Sequence, residues 1–308
     1  VYALVLDGQV KKAINQIKSS RNSPNSNFFE AKLLLALDLI GKKKYKQASK
    51  VIKSFDISNN NTYELIILKS LETYNQLFKT KKISSQSKEF GKLSLIVNAF
   101  QNCYLNSSKT DTHFLNLINS PEGDYSRYLF FYLSNVIERN DYSTAQKISK
   151  TIEPFSSTLL ISQTQKWIEE KKYKKFSNHF SCQNERDILA EFFFLMSNLY
   201  SSQNILETSN FYLSLSIHLN PKFYFNLSLL AENYFDNENY KIAKKILEGF
   251  NNEDEIYSWY KTKKIAQIIS EEQGDQESLQ YIEKNLSNFK NKSPKILYDL
   301  ANIYKNFK

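Results

Sequence analysis

Glycine and proline are scarce in this sequence, which has 6 glycines and 5 prolines in 308 residues. Because tight turns depend on both residue types, this scarcity argues against a β fold with many short strands. Hydrophobic residues make up 41% of the chain and aromatic residues 14%, which is too rich for a disordered protein. Long apolar runs are also missing: the most apolar stretches, 129–133 and 192–195, are far shorter than the roughly 18 residues of a membrane span. The composition therefore predicts a soluble, all-α protein.

Residues that carry chemistry are also few. The two cysteines, Cys103 and Cys182, are far apart in sequence, which favours two separate thiols over a disulfide framework. His179 and Cys182 have an H-x-x-C spacing, but a zinc site needs four ligands at paired spacings. There is no glycine-rich phosphate loop, G-x-S-x-G or H-E-x-x-H motif. We therefore predict that the protein is not an enzyme, and we assign no catalytic residue, metal ligand or cofactor.

Arginine is the scarce cation. The formal net charge is +9, but there are only four arginines, so that the other 37 of the 41 basic residues are lysines. Together with abundant asparagine and isoleucine, this bias is typical of an AT-rich genome and of solvated lysines rather than arginine-built phosphate sites. We expect the lysine clusters at 42–44, 171–175 and 261–264 to lie mostly at helix ends or turns, and we do not expect nucleic acid as a partner. The only methionine is Met196, so we expect the start of the protein to be missing, and the compartment stays open.

The most regular feature is a set of small residues spaced twelve apart. The pairs are Ser197 and Ser209, Ala231 and Ala243, and Ala266 and Ser278, with Ala301 opening a fourth. They recur every 34 to 35 residues and are flanked by apolar residues at helical spacing. Two helices approach to about 8 to 10 Å only where no large side chain intervenes, so we interpret the pairs as contacts within helical hairpins.

This pattern resembles the tetratricopeptide repeat, a 34-residue helix-turn-helix unit. The unit counted from Ala190 matches at Met196, Ser197, Tyr200, Leu206, Ser209, Ser216 and Pro221. The unit counted from Tyr224 matches at Leu230, Ala231, Tyr234, Tyr240 and Ala243, and departs at Phe250 and Glu255. The resemblance implies a right-handed α-solenoid. The composition and the style of the repeats are similar to those of bacterial scaffold proteins.

The remainder of the chain fits this pattern less regularly. We predict N-terminal repeats at 1–62 (the first one truncated), divergent helical repeats or an insert at 63–125, degenerate repeats at 126–189, and well-formed repeats at 190–308 (the last one truncated). Within 63–125 the periodicity predicts helices at about 62–78, 88–105 and 111–119. The last helix should expose Leu297, Leu300 and Ile303 and lead to fraying or self-association.

In tetratricopeptide arrays the concave face binds the partner, and the resemblance implies a groove on the first helices of the repeats. The predicted groove residues are Phe194, Asn198, Ser201, Ser228, Glu232, Phe235, Lys263, Lys264 and Gln267. Some tetratricopeptide relatives clamp the carboxylates of a peptide. This chain offers Asn198 and Lys264 for such a clamp but has Phe194, Leu229 and Tyr260 at the other positions, so a carboxylate clamp is not supported. We therefore expect an adaptor that binds partner proteins or peptides.

Two alternatives remain open. The 35-residue spacing from Ala231 to Ala266 and on to Ala301 also suits helical-repeat proteins that bind RNA, although Phe194, Ser228 and Lys263 form no base-reading code. The second alternative is a regulatory domain of a larger protein.

Overall fold

The computed structural model describes residues 1–19, 28–55, 62–84, 91, 93–121, 123–153, 155, 157–289 and 292–306. Within these ranges it contains 18 α-helices and no strand, and neighbouring helices pack in pairs. This confirms the all-α prediction. None of the described helices combines the length and the apolarity needed to cross a membrane.

The helices, in chain order, are α1 (Tyr2–Leu6), α2 (Val10–Ser19), α3 (Phe29–Gly41), α4 (Tyr45–Ile52), α5 (Thr62–Thr80), α6 (Leu93–Tyr104), α7 (Thr110–Ile118), α8 (Tyr128–Glu138), α9 (Tyr142–Ser149), α10 (Leu159–Glu169), α11 (Lys174–His179), α12 (Glu185–Ser201), α13 (Leu206–Leu219), α14 (Asn226–Asp236), α15 (Tyr240–Leu247), α16 (Glu255–Gln273), α17 (Asp275–Leu286) and α18 (Pro294–Asn306). The bounds of α5 and α7 agree with the predicted 62–78 and 111–119 to within two residues. The predicted start of α6, at Lys88, lies outside the described residues.

The chain divides into two compact units, and each unit combines two segments that are distant in sequence. Unit 1 comprises Val1–Tyr125 and Phe180–Pro221, and unit 2 comprises Ser126–His179 and Lys222–Lys308. In unit 1 the helices from α1 to α7 pack successively, and the hairpin α12–α13 returns to pack on α1, α2 and α5. Tyr2 stacks on Phe211 with the ring centroids 4.7 Å apart, and Tyr74 meets Phe192 edge to face at 6.1 Å.

In unit 2, α14 to α17 pack successively, and α16 also packs on α10. The side chain of Gln163 on α10 accepts hydrogen bonds from the backbone N–H groups of Ile256 (3.0 Å) and Tyr257 (3.3 Å), which are orphan donors at the start of α16. Beside this contact, Trp167 Nε1 donates to the buried Asp254 carboxylate at 2.8 Å. Packing between residues so distant in sequence is not produced by a strictly sequential stack, in which each repeat contacts only its neighbours.

Seven hairpins in the described part of the chain turn in the same way; the α1–α2 turn uses Gly8 at φ 73°, and the other six use a residue other than glycine. The residues with φ between 49° and 63° in these turns are Lys43, Asn106, Asn140, Lys171, Asn204 and Glu238. In each case the N–H of the following residue donates to the carbonyl five residues earlier, at 2.7 to 3.1 Å, as in a Schellman motif. The α16–α17 hairpin differs, because Gly274 makes its turn at φ 113°. Residues other than glycine therefore adopt the left-handed conformation in six of these turns, and the packing of the two helices holds them in it.

Six of the seven small residues lie where the sequence predicts, at the helix contacts within hairpins, whereas Ala301 on α18 is exposed. Ala231 and Ala243 are completely buried, and α14 packs on α15. The Ser197 and Ser209 hydroxyls lie 2.8 Å apart between α12 and α13. Ser278 Oγ donates to the Ala266 carbonyl at 2.7 Å between α16 and α17. The serines therefore satisfy their hydroxyl groups across the contact that their small size allows.

The prediction of two separate thiols was wrong, because Cys103 and Cys182 form a disulfide in unit 1. Cys103 lies in the last turn of α6 and Cys182 precedes α12, with a Cα–Cα distance of 5.6 Å. Both residues are buried. Next to the bridge, the Glu185 carboxylate accepts hydrogen bonds from the Tyr45 and Tyr104 hydroxyls, each at 2.7 Å. A separation of 79 residues in sequence concealed the pairing; the return of α12 to unit 1 creates it.

The expectation for α18 was wrong for Leu300. Leu297 is 53% exposed, but Leu300 is only 6% exposed and joins a core cluster with Trp259, Ile282 and Ile296. Ile303 is half-buried and packs against the same cluster. Helices α16 and α17 therefore cover most of the apolar stripe that was expected to be open.

Candidate functional site

The nine predicted groove residues fall in both units. Phe194, Asn198 and Ser201 lie on α12 in unit 1. Of these, Phe194 is buried in the core, Ser201 is half-buried and Asn198 is exposed. The other six lie on α14 and α16 in unit 2, namely Ser228, Glu232, Phe235, Lys263, Lys264 and Gln267.

Four side chains of α14 and α16 form a connected group, and three of them belong to the predicted set. Lys264 pairs with the Glu232 carboxylate, and its Nζ lies 4.4 Å from the centroid of the Phe235 ring. Tyr260 donates its hydroxyl to Glu232 Oε1 at 2.8 Å. Only 9% of Lys264 is exposed. A lysine so buried must be paired, and Glu232 and the aromatic ring provide both an opposite charge and a π face.

Burial raises the pKa of Tyr260, and the adjacent Glu232 charge and hydrogen bond raise it further. Tyr260 therefore remains a protonated donor at any physiological pH. The group is a fixed electrostatic support rather than a proton-transfer site. The expectation that residues 261–264 would be a solvated cluster near a helix end was wrong, because they lie in the middle of α16.

A second pair lies one residue away on α16. Lys263 Nζ donates to Asp299 Oδ2 at 2.9 Å, and Trp259 Nε1 donates to the same oxygen at 2.9 Å. Asp299 belongs to α18, so the pair ties α16 to α18. No sequence pattern marked Asp299, which follows Lys263 by 36 residues.

Unit 2 contains a cavity of about 360 Å³, and Lys263 is part of its lining. Its lining includes three of the predicted residues, Phe235, Lys263 and Gln267. The remaining lining residues are Ala266, Ser270, Glu271, Ser278, Ile282 and Ile303. The wall thus combines an aromatic ring and two isoleucines with amide, hydroxyl and carboxylate groups. A volume of this size is at the small end of the range for ligand pockets, and fits one large side chain or a short stretch of peptide.

Ser228, Glu232 and Lys264 do not line the cavity. Ser228 is buried and donates its hydroxyl to the Phe225 carbonyl at 2.7 Å. Glu232 and Lys264 instead support its Phe235 side. Six lining residues are absent from the predicted groove set: Ala266, Ser270 and Glu271 lie on α16, and Ser278, Ile282 and Ile303 come from α17 and α18. Their helical periodicity indicated only that they face a neighbour.

The weak H-x-x-C pattern has a different explanation from metal binding. Cys182 is consumed in the disulfide, and His179 Nδ1 lies 2.6 Å from the Lys175 carbonyl. Burial lowers the pKa of His179, assisted by the charges of Lys175 and Lys222. Within the described part of the chain, no group of three His, Cys, Asp or Glu side chains is arranged to hold a metal ion.

Comparisons with known proteins give no identification: no family model, curated protein or solved structure matches this chain.

Proposed function

We propose that the protein is a non-enzymatic interaction protein, built from tetratricopeptide-like helical hairpins, which binds a segment of a partner protein in the unit 2 cavity. The observation that carries the proposal is the mixed wall of this cavity. Phe235, Ile282 and Ile303 offer an apolar seat, and Gln267, Ser270 and Glu271 offer hydrogen-bonding groups along one side.

This lining suits a peptide because a peptide presents both kinds of surface. Burial of an apolar side chain between the Phe235 ring and the two isoleucines removes it from water. Full burial contributes about 1.5 to 3 kcal/mol to the free energy of binding. The backbone N–H and C=O groups beside it need partners; the Gln267 amide can donate and accept, and the Ser270 hydroxyl, which donates to Asp275, can still accept. Gln267 is exposed and Ser270 is half-buried, so both are accessible from solvent.

The support behind the wall is preorganised. The pair Glu232–Lys264 joins α14 to α16, the pair Lys263–Asp299 joins α16 to α18, and all three helices contribute residues to the cavity lining. A wall that is already ordered loses little side-chain entropy on binding. The same pairs weigh against the RNA hypothesis, because the two lysines that would face phosphates already have carboxylate partners.

Site-specific crosslinking tests the proposal. A photoreactive phenylalanine analogue at Gln267, in the full chain, should crosslink a partner protein that mass spectrometry then identifies. The matched control is Gln276, which is exposed on α17 and does not line the cavity. With the purified partner, Gln267→Trp should weaken binding by about tenfold or more by filling the cavity, whereas Gln276→Trp should leave it within about twofold. Equal crosslinking at both positions, or equal effects of the two substitutions, would show that partners do not use this cavity. Binding of single-stranded RNA that Gln267→Trp abolishes would favour the RNA hypothesis.

A further inference from the structure

Nearly all of the net charge lies at one end of the sequence. Residues 1–55 contain 11 of the 41 lysines and arginines but only 3 of the 32 aspartates and glutamates, a net +8 out of +9. The other residues carry 30 basic and 29 acidic side chains and are almost neutral. A lysine excess that came only from codon composition would be spread along the chain. The concentration of charge in α1 to α4 therefore needs its own explanation.

Most of these lysines are exposed and lie on three packed elements of unit 1: α2, the α3–α4 turn and α4. They include Lys11, Lys12, Lys43, Lys44, Lys46 and Lys50. None of these six has a carboxylate partner among the residues that the structure describes. The nearby carboxylate of Asp38 pairs with two other lysines, Lys18 at 2.6 Å and Lys42 at 2.8 Å. We call this surface the basic face.

A cavity of about 330 Å³ opens on the basic face, between α2, α3 and α13. Its walls include the aliphatic side chains Val10, Ile14, Leu34, Leu37 and Leu215. The charged groups around it are Lys11, Lys42 and Arg186, together with the single carboxylate of Asp38, which is paired with Lys18 and Lys42. Apolar walls beneath a cationic rim indicate a ligand with one apolar group and several negative charges.

Of the two basic residues that α12 and α13 place at the cavity, Arg186 carries the positive charge and His218 does not. Arg186 donates to the His218 carbonyl at 2.9 Å and to the Leu219 carbonyl at 3.2 Å, so the end of α13 fixes its guanidinium at the rim. Burial lowers the pKa of His218, and the charges of Arg186 and Lys11 lower it further against the opposing charge of Asp38. His218 is therefore a neutral part of the wall.

We propose that the basic face docks an acidic peptide segment of a partner, with one aliphatic side chain anchored in the cavity. Carboxylates pair with flexible lysines without demanding one geometry, and complementary charge guides the encounter. A nucleic acid fits less well, because stacked bases need aromatic or arginine planes and the cavity walls are aliphatic. This surface belongs to unit 1 and is independent of the cavity proposed above for unit 2.

Fluorescence anisotropy with defined peptides tests the proposal on the full chain. The probe is a labelled peptide of alternating glutamate and serine with one central leucine, and its partner probe has asparagine in place of the leucine. We expect the leucine peptide to bind about tenfold tighter, from burial of the side chain. We also expect both affinities to fall as salt rises, because the lysines are exposed.

Two sets of variants separate the charges from the anchor. The triple substitution Lys11→Glu, Lys12→Glu and Lys44→Glu should weaken binding of both peptides by about tenfold or more and reduce the salt dependence. The control Lys241→Glu, Lys245→Glu and Lys284→Glu makes the same change in net charge on exposed lysines of unit 2, and should leave affinity within about twofold. Asn15→Phe, at an exposed position that lines the cavity, should abolish the preference for leucine but keep the salt-dependent binding.

Three outcomes would overturn the proposal. The first is an equal effect of both triple substitutions, which would reduce the interaction to net charge. The second is a leucine preference that survives Asn15→Phe. The third is binding of vesicles rich in phosphatidylserine, or of single-stranded oligothymidine, with no binding of either peptide, which would assign the face to a membrane or to nucleic acid.

Discussion

The disulfide in unit 1 leads to the largest predicted effect on stability. It closes a loop of 79 residues between Cys103 and Cys182, so that the unfolded chain is constrained as long as the bridge is intact. The chain-entropy model converts a loop of this length into about 4.5 kcal/mol at 25 °C, and measured values for native disulfides start at about 2 kcal/mol. Reduction should therefore lower the free energy of unfolding by about 2 to 4.5 kcal/mol and the Tm by on the order of 10 °C.

The assay compares the protein with and without reductant, by urea unfolding followed with far-UV circular dichroism. Reduction removes only the bond and keeps both sulfur atoms, whereas the variant Cys103→Ala with Cys182→Ala also loses their packing. The double variant should therefore be at least as unstable as the reduced protein and should not respond to reductant. Trp167 and Trp259, the two tryptophans of the chain, both lie in unit 2, so a loss confined to unit 1 should be larger by circular dichroism than by tryptophan fluorescence.

Two results would contradict this prediction. Thiol titration of the denatured, unreduced protein should find no reactive thiol, and two reactive thiols would mean that the bridge does not form. An unfolding midpoint that reductant leaves unchanged would mean that the loop contributes nothing to stability.

Three further substitutions test the packing and the buried polar groups. Ala243→Leu should destabilise the protein by about 1 to 3 kcal/mol, because Ala243 is completely buried at the α14–α15 contact. The control Ile242→Leu, on the exposed side of α15, should change stability by less than about 0.5 kcal/mol. Equal effects of the two substitutions in urea unfolding would contradict the assignment of α14 and α15 as a hairpin. His179→Gln should reduce the loss of stability between pH 7 and pH 5. The native pKa of His179 lies below its unfolded value near 6.5, so the unfolded state takes up the proton first as the pH falls. A variant that loses as much stability as the parent would exclude His179 as the cause. Asp254→Ala should lower the free energy of unfolding by about 1 to 3 kcal/mol, because it leaves the buried Trp167 indole N–H without an acceptor. A red shift of the tryptophan emission should accompany the loss. If stability and emission are both unchanged, the hydrogen bond at 2.8 Å contributes nothing to stability.

The local features of the fold could be predicted from the sequence because they depend on neighbours in the chain. The helix that ends before Asn220-Pro221, the turn at Gly274 and the buried alanines twelve residues apart follow from backbone sterics and helical period. The same periodicity marked Leu300 as apolar but could not show whether another helix covers it. It is covered, because α16 and α17 reach the same side of α18.

The candidate sites were predictable only in part, for the same reason. Phe235, Lys263 and Gln267 were identified by their positions in the repeat, and they line one cavity. Phe194 has an equivalent kind of position but is buried in unit 1, where α12 packs on α5. The ion pairs of Lys263 and Lys264 depend on Asp299 and Glu232, which are 36 and 32 residues away, and no periodic rule predicts such partners.

The sequence by itself determined that this chain is helical, where its hairpins turn and which small residues let paired helices approach, since all of these follow from interactions over a few turns of the chain. It also contained the charge asymmetry that defines the basic face. Only the tertiary structure decided that α12 and α13 return to the first unit, that Cys103 meets Cys182, and which lysines are paired and which remain open. Those outcomes depend on packing between residues tens of positions apart, where the partner is chosen by shape and burial in three dimensions and not by sequence spacing.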